Sequence, residues 1–185
     1  MTEILYVPNA IADSVEKWVT STKIPWFYFS GTLGHNDKGR YPVEQDKYLI
    51  EDQPRFTHYF YPNSKTADLD RKHIMPLTEW IKKEALPGYE VQRVMGNMTT
   101  QTYGADRLIN IPHVDSDSPN MFTFLYYVNS SDGKTIFFKN RQIELEAEPI
   151  KGSGALFSSN TVHAGQVPTI NKNRYVINII FSKRV

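Results

Sequence analysis

Alternating apolar and polar residues predict a chain built largely from short strands. Turn residues, mostly glycine, proline and asparagine, separate these segments, which cover residues 3–8, 55–61, 89–95, 108–115, 121–129, 135–138, 142–146, 155–157 and 174–181. Most of the strands follow residue 88, and short strands at this spacing are typical of an all-β sandwich or barrel. We expect residues 139–154, with three glutamates and paired turn glycines, to form a surface hairpin.

Two helical patterns precede most of these strands. After Pro8, apolar residues at helical spacing predict a helix with a buried face formed by Ile11, Val15, Trp18, Val19 and Thr22. A second pattern covers residues 66–85, where we expect Pro76 to start a new segment or to kink the helix. The patterns together predict a mainly β, α+β fold: a jelly-roll core (double-stranded β-helix, cupin-like) supported on one face by helices.

Length, charge and cysteine content narrow the class of protein. The 185 residues predict a single domain, 1–185, with helical support and substrate-side loops in 1–88 and the jelly-roll core in 89–185. A net charge of +1 gives no electrostatic reason to expect a nucleic-acid partner. The lack of cysteine excludes disulfides and thiolate ligands. Without a basic leader or a long apolar run, we expect a cytoplasmic protein that does not enter a membrane.

The motif His113-Val114-Asp115 is the strongest chemical signal in the chain. Alone, a His-x-Asp is more often a surface hydrogen bond in a turn. On an extended strand, however, residues two apart share a face, so His113 and Asp115 would project side by side. His163, far downstream, could supply a third ligand and complete the 2-His-1-carboxylate set that leaves metal positions open for non-haem Fe(II) chemistry. Judged by ligand type alone, iron, manganese and zinc all fit such a site.

A second signal is Arg174, which opens an apolar strand. A strand-end arginine is often an ordinary surface residue, but a buried one needs an anion, and the guanidinium fork suits a carboxylate such as that of 2-oxoglutarate. In a strand beginning at Arg174, Val176 and Asn178 share its face. Polar residues at two of these three positions predict a barrel interior that holds a polar ligand.

The motifs, taken in order, resemble those of a known family. From about residue 91 onward the chain carries Tyr103, His113-Val114-Asp115, 123–129, Gly133-Lys134-Thr135-Ile136-Phe137, Leu156-Phe157, His163-Ala164-Gly165 and 174–178. This order resembles the 2-oxoglutarate- and Fe(II)-dependent dioxygenases, within them the prolyl 4-hydroxylase-like branch that includes the HIF prolyl hydroxylases, and it is similar to short phage-encoded oxygenases. The first ninety residues match only in general character.

The resemblance implies a role for each matching residue. Fe(II) would be held by His113, Asp115 and His163, and Arg174 would pair with the distal carboxylate of 2-oxoglutarate. The remaining cosubstrate-site residues implied by the resemblance are Tyr103, Tyr127, Thr135 and Asn178. The reaction would consume O2 and 2-oxoglutarate, hydroxylate a C–H bond and release succinate and CO2, with ascorbate as a candidate reductant. The chain departs from the collagen-type enzymes, which carry lysine at the position of Arg174, and a small hydroxyl residue is common where Asn178 stands.

The substrate is less constrained than the cofactors. The resemblance favours a peptidyl proline, and we rank a peptide or protein substrate above a small molecule and both above nucleic acid. Glycine-rich residues 31–39, a lid or simply a connection, and the turn 116–120 could form the rims of a substrate groove. We interpret His58 and His73 as packed or solvated side chains. The sequence says nothing of oligomeric state.

A different class of function is compatible with the same fold. A jelly-roll protein can bind a metal or a small ligand without turnover, or use the metal only as a Lewis acid. Arg174 and the tyrosines discriminate between the two classes, because a site that holds only a metal needs no clamp for a carboxylate.

Overall fold

The computed structural model describes residues 2–31, 41–61 and 67–183, in which strands predominate over helices. The described strands are β1 (Glu3–Tyr6), β2 (Phe27–Phe29), β3 (Leu49–Ile50), β4 (Arg55–Tyr61), β5 (Tyr89–Thr100), β6 (Leu108–Ile109), β7 (Met121–Tyr127), β8 (Thr135–Lys139), β9 (Gln142–Ala147), β10 (Ser153–Ser158), β11 (His163–Gly165) and β12 (Asn173–Lys183). The described helices are α1 (Asn9–Val19) and α2 (Ala67–Glu84).

Two antiparallel sheets form the body of the described fold. The larger has the strand order β1-β10-β7-β12-β5-β4-β2, and the smaller has the order β11-β8-β9. Tyr127 and Val176 of the large sheet share a buried cluster with Phe137 of the small one, so the two sheets pack against each other. This is the predicted jelly roll. A short parallel pair, β3 with β6, lies beside it.

The helices cover the outer face of the large sheet, as their position in the sequence predicts. Val15 and Val19 of α1 and Leu77 and Ile81 of α2 are completely buried in a cluster with apolar side chains of β7 and β12. Helix α1 ends at Val19, so Thr22 of the predicted stripe lies beyond it. Apolar burial of this kind stabilises an amphipathic helix more than residue propensity does.

Helix α2 does not divide at its proline. It runs as one helix through Pro76, whose ring is exposed, so the expected new segment does not form there. A proline inside a helix costs about 3 kcal/mol. Complete burial of Leu77 and Ile81 in the turns that follow offsets such a cost, because each apolar side chain contributes roughly 1.5–3 kcal/mol when buried.

Strand β12 separates the apolar core from the polar interior. Arg174, Val176 and Asn178 line a cavity between the two sheets. Ile177 and Ile179, whose side chains point the other way, lie in the cluster under the helices. The period of two in the sequence therefore predicted the face of each side chain correctly.

Two strand predictions differ from the structure. The hairpin expected at residues 139–154 instead joins β8 to β9, and the next residues lead into buried strand β10. Its two-residue turn, Asn140-Arg141, has positive φ at both positions, which matches the twist of the flanking strands. The strand expected at 108–115 is regular only at Leu108–Ile109, and His113 pairs with His163 as an isolated bridge.

Among the described residues, neither helix combines the length and the apolar character that a membrane crossing requires.

Candidate active site

Three potential metal ligands converge at one end of the cavity. His113 and His163 lie opposite each other and exchange two backbone hydrogen bonds of 2.9 Å. The backbone N–H of Asp115 donates to the carbonyl of Ser159 over 2.9 Å. These backbone contacts bring the ligand atoms of His113, Asp115 and His163 within 4.8 Å of one another, across a large separation in sequence.

Each imidazole is oriented by a carbonyl two residues earlier in the chain. Nδ1 of His113 donates to the carbonyl of Ile111 over 2.9 Å, and Nδ1 of His163 donates to that of Thr161 over 3.0 Å. A carbonyl only accepts, so Nδ1 carries the proton and Nε2 is the remaining donor atom for a metal. A hydrogen bond from the ring nitrogen that does not bind the metal fixes the tautomer and the ring direction of metal-binding histidines.

One oxygen of the Asp115 carboxylate accepts a side-chain hydrogen bond, and the other has no hydrogen-bond partner among the described residues. Oδ1 accepts a hydrogen bond from Nδ2 of Asn178 over 2.9 Å. Oδ2 is buried, has no hydrogen-bond partner among the described residues and lies 3.8 Å from Nε2 of His163. An unsatisfied buried carboxylate oxygen is costly, and a cation at this point would satisfy it. The nitrogen and oxygen donors present therefore fit a divalent metal such as Fe(II).

The electrostatics of this site favour the protonation states that bind metals. Burial raises the pKa of Asp115, but the imidazoles of His163 and His113 and the hydrogen bond from Asn178 outweigh it, so that pKa lies below its usual value. Burial first, and then the neighbouring His163, lower the pKa of His113 to about 4. At neutral pH Asp115 is ionised and His113 is neutral, as coordination requires.

Arg174 lies at another part of the same cavity, buried to 5 % exposure. Its Nε donates to the carbonyl of Gly133 over 2.6 Å, and its Nη2 donates to Oγ1 of Thr135 over 2.8 Å. No carboxylate of the described residues forms an ion pair with it. Burial lowers the pKa of Arg174, because the charged guanidinium is no longer solvated by water. Tyr127 has a smaller effect in the opposite direction. A guanidinium buried in this way calls for an anion from outside the chain.

The space beside this guanidinium depends on a glycine. A Cβ at Gly165 would lie 3.6 Å from Nη1 of Arg174 and 3.9 Å from Nδ2 of Asn110. The missing side chain thus leaves Nη1, which has no hydrogen-bond partner among the described residues, open to the cavity. Tyr127 lies one layer behind, where its hydroxyl donates to Oγ1 of Thr135 over 2.9 Å and its ring centre is 5.9 Å from the guanidinium carbon.

The structure brings most of the predicted site residues into one cavity, and the two predicted tyrosines are the exceptions: Tyr127 lies behind Thr135, and Tyr103 lies elsewhere. The triad, Thr135, Arg174 and Asn178 all line one cavity of about 230 Å³. Tyr103 does not line it and is 84 % exposed, because it lies in a turn after β5 rather than on a strand facing inward. Asn178 contacts the carboxylate of Asp115 rather than the Arg174 end of the cavity.

Other predicted positions lie outside this cavity. His58 is buried against Asp70, with its Nε2 3.0 Å from Oδ2, and His73 stacks on Trp18 with ring centres 4.5 Å apart. Both histidines are packed side chains, which agrees with the interpretation from the sequence that they are packed or solvated. The glycine-rich rim at 31–39 falls outside the described residues except at its first position.

Two arginines of the cavity were missed from the sequence. Arg55 of β4 and Arg93 of β5 both line it. A signal was present, because Arg93, Met95, Asn97 and Thr99 alternate along β5 and all face the cavity. That is the period-two pattern by which β12 was interpreted.

Fold and site together define a jelly-roll protein with a 2-His-1-carboxylate centre and a buried arginine in one cavity. No protein-family model matches the chain, and no curated protein sequence matches it. Solved structures do share its fold.

A 2OG-Fe(II) oxygenase family oxidoreductase from Burkholderia pseudomallei aligns with a TM-score of 0.64 and 12 % identity, over 99 % of this chain and 85 % of that one. A Trichoplax adhaerens prolyl hydroxylase in complex with a hypoxia-inducible-factor peptide gives 0.62 and 14 %, over 98 % and 83 %. A viral collagen prolyl hydroxylase from Paramecium bursaria Chlorella virus 1, in a 2OG complex, gives 0.56 and 15 %, over 98 % and 96 %. At these identities the likeness shows the fold, which is that of the 2OG-Fe(II) oxygenases.

Proposed function

We propose that this protein is a 2-oxoglutarate- and Fe(II)-dependent dioxygenase that hydroxylates a C–H bond. The observation that carries the proposal is a single cavity holding both an open 2-His-1-carboxylate set and a buried arginine without an acidic partner among the described residues. A protein that only binds a metal, or uses it as a Lewis acid, does not need the buried arginine. Burying an unpaired guanidinium destabilises the fold, so such a residue requires a separate reason. The proposal gives that charge a function.

The triad would hold Fe(II). His113 and His163 would bind through Nε2, since Nδ1 of each is committed to a backbone carbonyl. Asp115 would bind through Oδ2, the oxygen without a described hydrogen bond. Three protein ligands leave positions for 2-oxoglutarate and O2. Bound Fe(II) and 2-oxoglutarate would supply the oxidative chemistry, with succinate and CO2 as co-products.

The distal carboxylate of 2-oxoglutarate would be bound at Arg174. Nη1 is open to the cavity beside Gly165, and Nη2 and Nε are fixed by Thr135 and Gly133. The guanidinium is therefore held in one orientation before the ligand arrives, so little rotamer entropy is lost on binding. Thr135, itself fixed by Tyr127, lines the same space and could donate a hydrogen bond to the carboxylate.

A peptidyl proline is the substrate that we propose to test first. Prolyl hydroxylases recur among the structures that share this fold, and one of them is described in complex with a peptide. These likenesses support a peptide substrate by analogy of fold only, so the assay must also include other substrate classes.

The proposed reaction can be tested by following succinate. The protein is incubated with Fe(II), 2-oxoglutarate, ascorbate and O2, together with proline-containing peptides, free amino acids or alkylated oligonucleotides. We expect succinate formation, and a mass increase of about 16 in one class of substrate from the added oxygen. The His163→Ala variant should be inactive. His73→Gln, a histidine outside the cavity, is the matched control and should keep wild-type activity. Equal succinate formation by wild type and His163→Ala would contradict the assignment.

A further inference from the structure

The cavity contains a second cationic region, formed by Arg55 and Arg93. The two residues lie on adjacent strands, β4 and β5, and both line the cavity that holds the triad. Nη2 of Arg93 lies 3.8 Å from Oδ1 of Asp115 and donates to Oδ1 of Asn178 over 3.2 Å. Arg55 is close enough for its charge to add to the lowering of the His113 pKa, after burial and His163. Both cations therefore lie beside the candidate metal centre.

This region is separate from the Arg174 site. Along β5, Thr99 pairs with Arg174, Met95 pairs with Asn178, and Arg93 lies further on. The six steps along the strand from residue 99 to residue 93 span roughly 20 Å. The amide of Asn178, which bonds Asp115, lies between the two ends. A carboxylate held at Arg174 is thus on the other side of the triad from Arg93.

Arg93 has hydrogen-bonding capacity that the described residues leave unused. Its Nε is buried and has no hydrogen-bond partner among them. A buried N–H without an acceptor destabilises the fold, and a bound anion would relieve that cost. The side chain as a whole is 33 % exposed, so a ligand can reach it from the cavity mouth. A planar guanidinium with open donors matches a carboxylate in shape as well as charge.

The charge balance of the cavity favours an anionic ligand at this point. Three arginines line it, and Asp115 is the one acidic side chain that does so among the described residues. A divalent metal and the dianion 2-oxoglutarate would neutralise each other. Asp52 lies near Arg55 and offsets part of the remainder. Three arginines against Asp115 and Asp52 leave about one positive charge in the cavity as a whole, which one carboxylate would neutralise.

We propose that the primary substrate carries a carboxylate that Arg93, assisted by Arg55, binds beside the metal centre. This inference rests on the proposed function and adds a substrate class to it. The carboxylate would anchor the substrate so that a nearby C–H bond faces the open metal positions. It could belong to a free amino acid or to the C-terminus or acidic side chain of a peptide. The shared chemistry is the carboxylate, and the experiment separates the sources.

The test compares acids with their amides. Wild-type protein with Fe(II) and saturating 2-oxoglutarate, kept free of O2, is titrated by calorimetry with free L-amino acids, with the corresponding amino-acid amides, and with short peptides ending in a carboxylate or an amide. We expect at least one acid to bind at least tenfold more tightly than its amide. Whether that acid is free or peptidyl identifies the source.

Variants locate the site. Arg93→Gln and Arg55→Gln should each weaken binding of that acid by at least tenfold, a larger loss than either variant causes in the affinity for 2-oxoglutarate. Arg141→Gln, an exposed arginine paired with Glu44 outside the cavity, is the matched control. The inference is wrong if no acid binds, if acid and amide bind equally, or if both cavity variants keep wild-type affinity. The same acids and amides are also titrated without 2-oxoglutarate, so that the carboxylate site is tested even if 2-oxoglutarate does not bind. Failure of 2-oxoglutarate to bind would overturn the proposed function and not this inference.

Discussion

Asn178 donates a hydrogen bond from Nδ2 to Oδ1 of Asp115 over 2.9 Å, and its own Oδ1 accepts one from Arg93 over 3.2 Å. Both ends of this amide are therefore occupied. The contact fixes the rotation of the Asp115 carboxylate and leaves Oδ2 as the oxygen nearest Nε2 of His163. Asn178 thus orients a candidate metal ligand, where the family resemblance alone would place it against the cosubstrate.

Removal of this amide should weaken metal binding. Partners that orient a metal ligand typically contribute ten- to a hundredfold in affinity, so we expect Asn178→Ala to weaken Fe(II) binding by about that factor. Anaerobic calorimetry measures the change. Asn9→Ala, at an exposed position at the start of α1, is the control. Identical dissociation constants for wild type and Asn178→Ala would show that Asp115 needs no such support.

Arg174 should control the affinity for 2-oxoglutarate. A hydrogen bond to a charged group contributes roughly 1.5–3 kcal/mol, so Arg174→Ala should weaken 2-oxoglutarate binding by about ten- to a few hundredfold. Arg174→Lys should weaken it less, because the charge remains but the planar fork is lost. Calorimetry on the metal-loaded protein gives these constants, and metal affinity should stay unchanged in both variants. An Arg174→Ala protein that binds 2-oxoglutarate as tightly as wild type would place the anion site elsewhere.

Gly165 should tolerate only a small side chain. A Cβ there makes ordinary contact with Arg174 at 3.6 Å, so Gly165→Ala should bind 2-oxoglutarate nearly as wild type does. Gly165→Val extends into the space beside the guanidinium. Overpacking of this kind typically costs about 1–3 kcal/mol, equivalent to roughly a five- to 150-fold loss of affinity. Equal binding by the alanine and valine variants would mean that the carboxylate lies away from Nη1.

The buried pair of His58 and Asp70 should contribute to stability without contributing to the site. Nδ1 of His58 faces the carbonyl of Pro25 at 3.0 Å, and Asp70 also accepts from Nε1 of Trp18 over 3.1 Å. His58→Ala removes one buried hydrogen bond to Asp70, so we expect a loss of about 1–3 kcal/mol in the free energy of unfolding.

Denaturant titration measures that loss. His73→Ala, which removes only a ring stacked on Trp18, should cost about 1 kcal/mol. Folded protein of either variant should keep wild-type affinity for Fe(II), because neither histidine lines the cavity. A His58→Ala protein as stable as wild type would show that the pair adds nothing to folding.

Asp132 should make stability depend on pH. Burial raises the pKa of its carboxyl, but hydrogen bonds from Asn171, Thr169 and Ile170 outweigh burial and lower that pKa to about 2. A folded-state pKa below the unfolded value contributes stability above the unfolded pKa, about 4, and this contribution is lost as the pH falls towards 2. The group is only partly buried, so solvent screening reduces the contribution to about 1–2 kcal/mol.

Asp132→Asn provides the measurement. At pH 7 the free energy of unfolding of the variant should be about 1–2 kcal/mol lower than that of wild type. This difference should shrink as the pH approaches 2. Chemical denaturation at a series of pH values between 2 and 7 tests this dependence. A difference that is constant over that range would mean that ionisation of Asp132 does not contribute to stability.

Several features of the protein could be predicted from local sequence. Strand β12 exposes Arg174 and Asn178 on its inner face because side chains alternate with a period of two, whatever the strand pairs with. The same rule predicted that His113 and Asp115 project side by side, and their ligand atoms do lie within 4.8 Å of each other, although the regular strand ends at Ile109. The helices were identified because their apolar spacing is also a local property. The pattern of strands and helices predicted the jelly roll, the resemblance in motif order agreed with it, and the solved structures share this fold.

Tertiary contacts decided the remainder. Arg55 and Arg93 meet the triad because β5 lies beside β12 in the sheet and β4 lies beside β5, and no spacing in the sequence specifies that order. The partner of Asn178 and the exposure of Tyr103 likewise depend on how distant segments pack. Periodicity tells which way a side chain points from its own strand. The groups that the side chain contacts, and any partner for its charge, come from segments that are distant in the sequence. Only the folded structure brings those segments together.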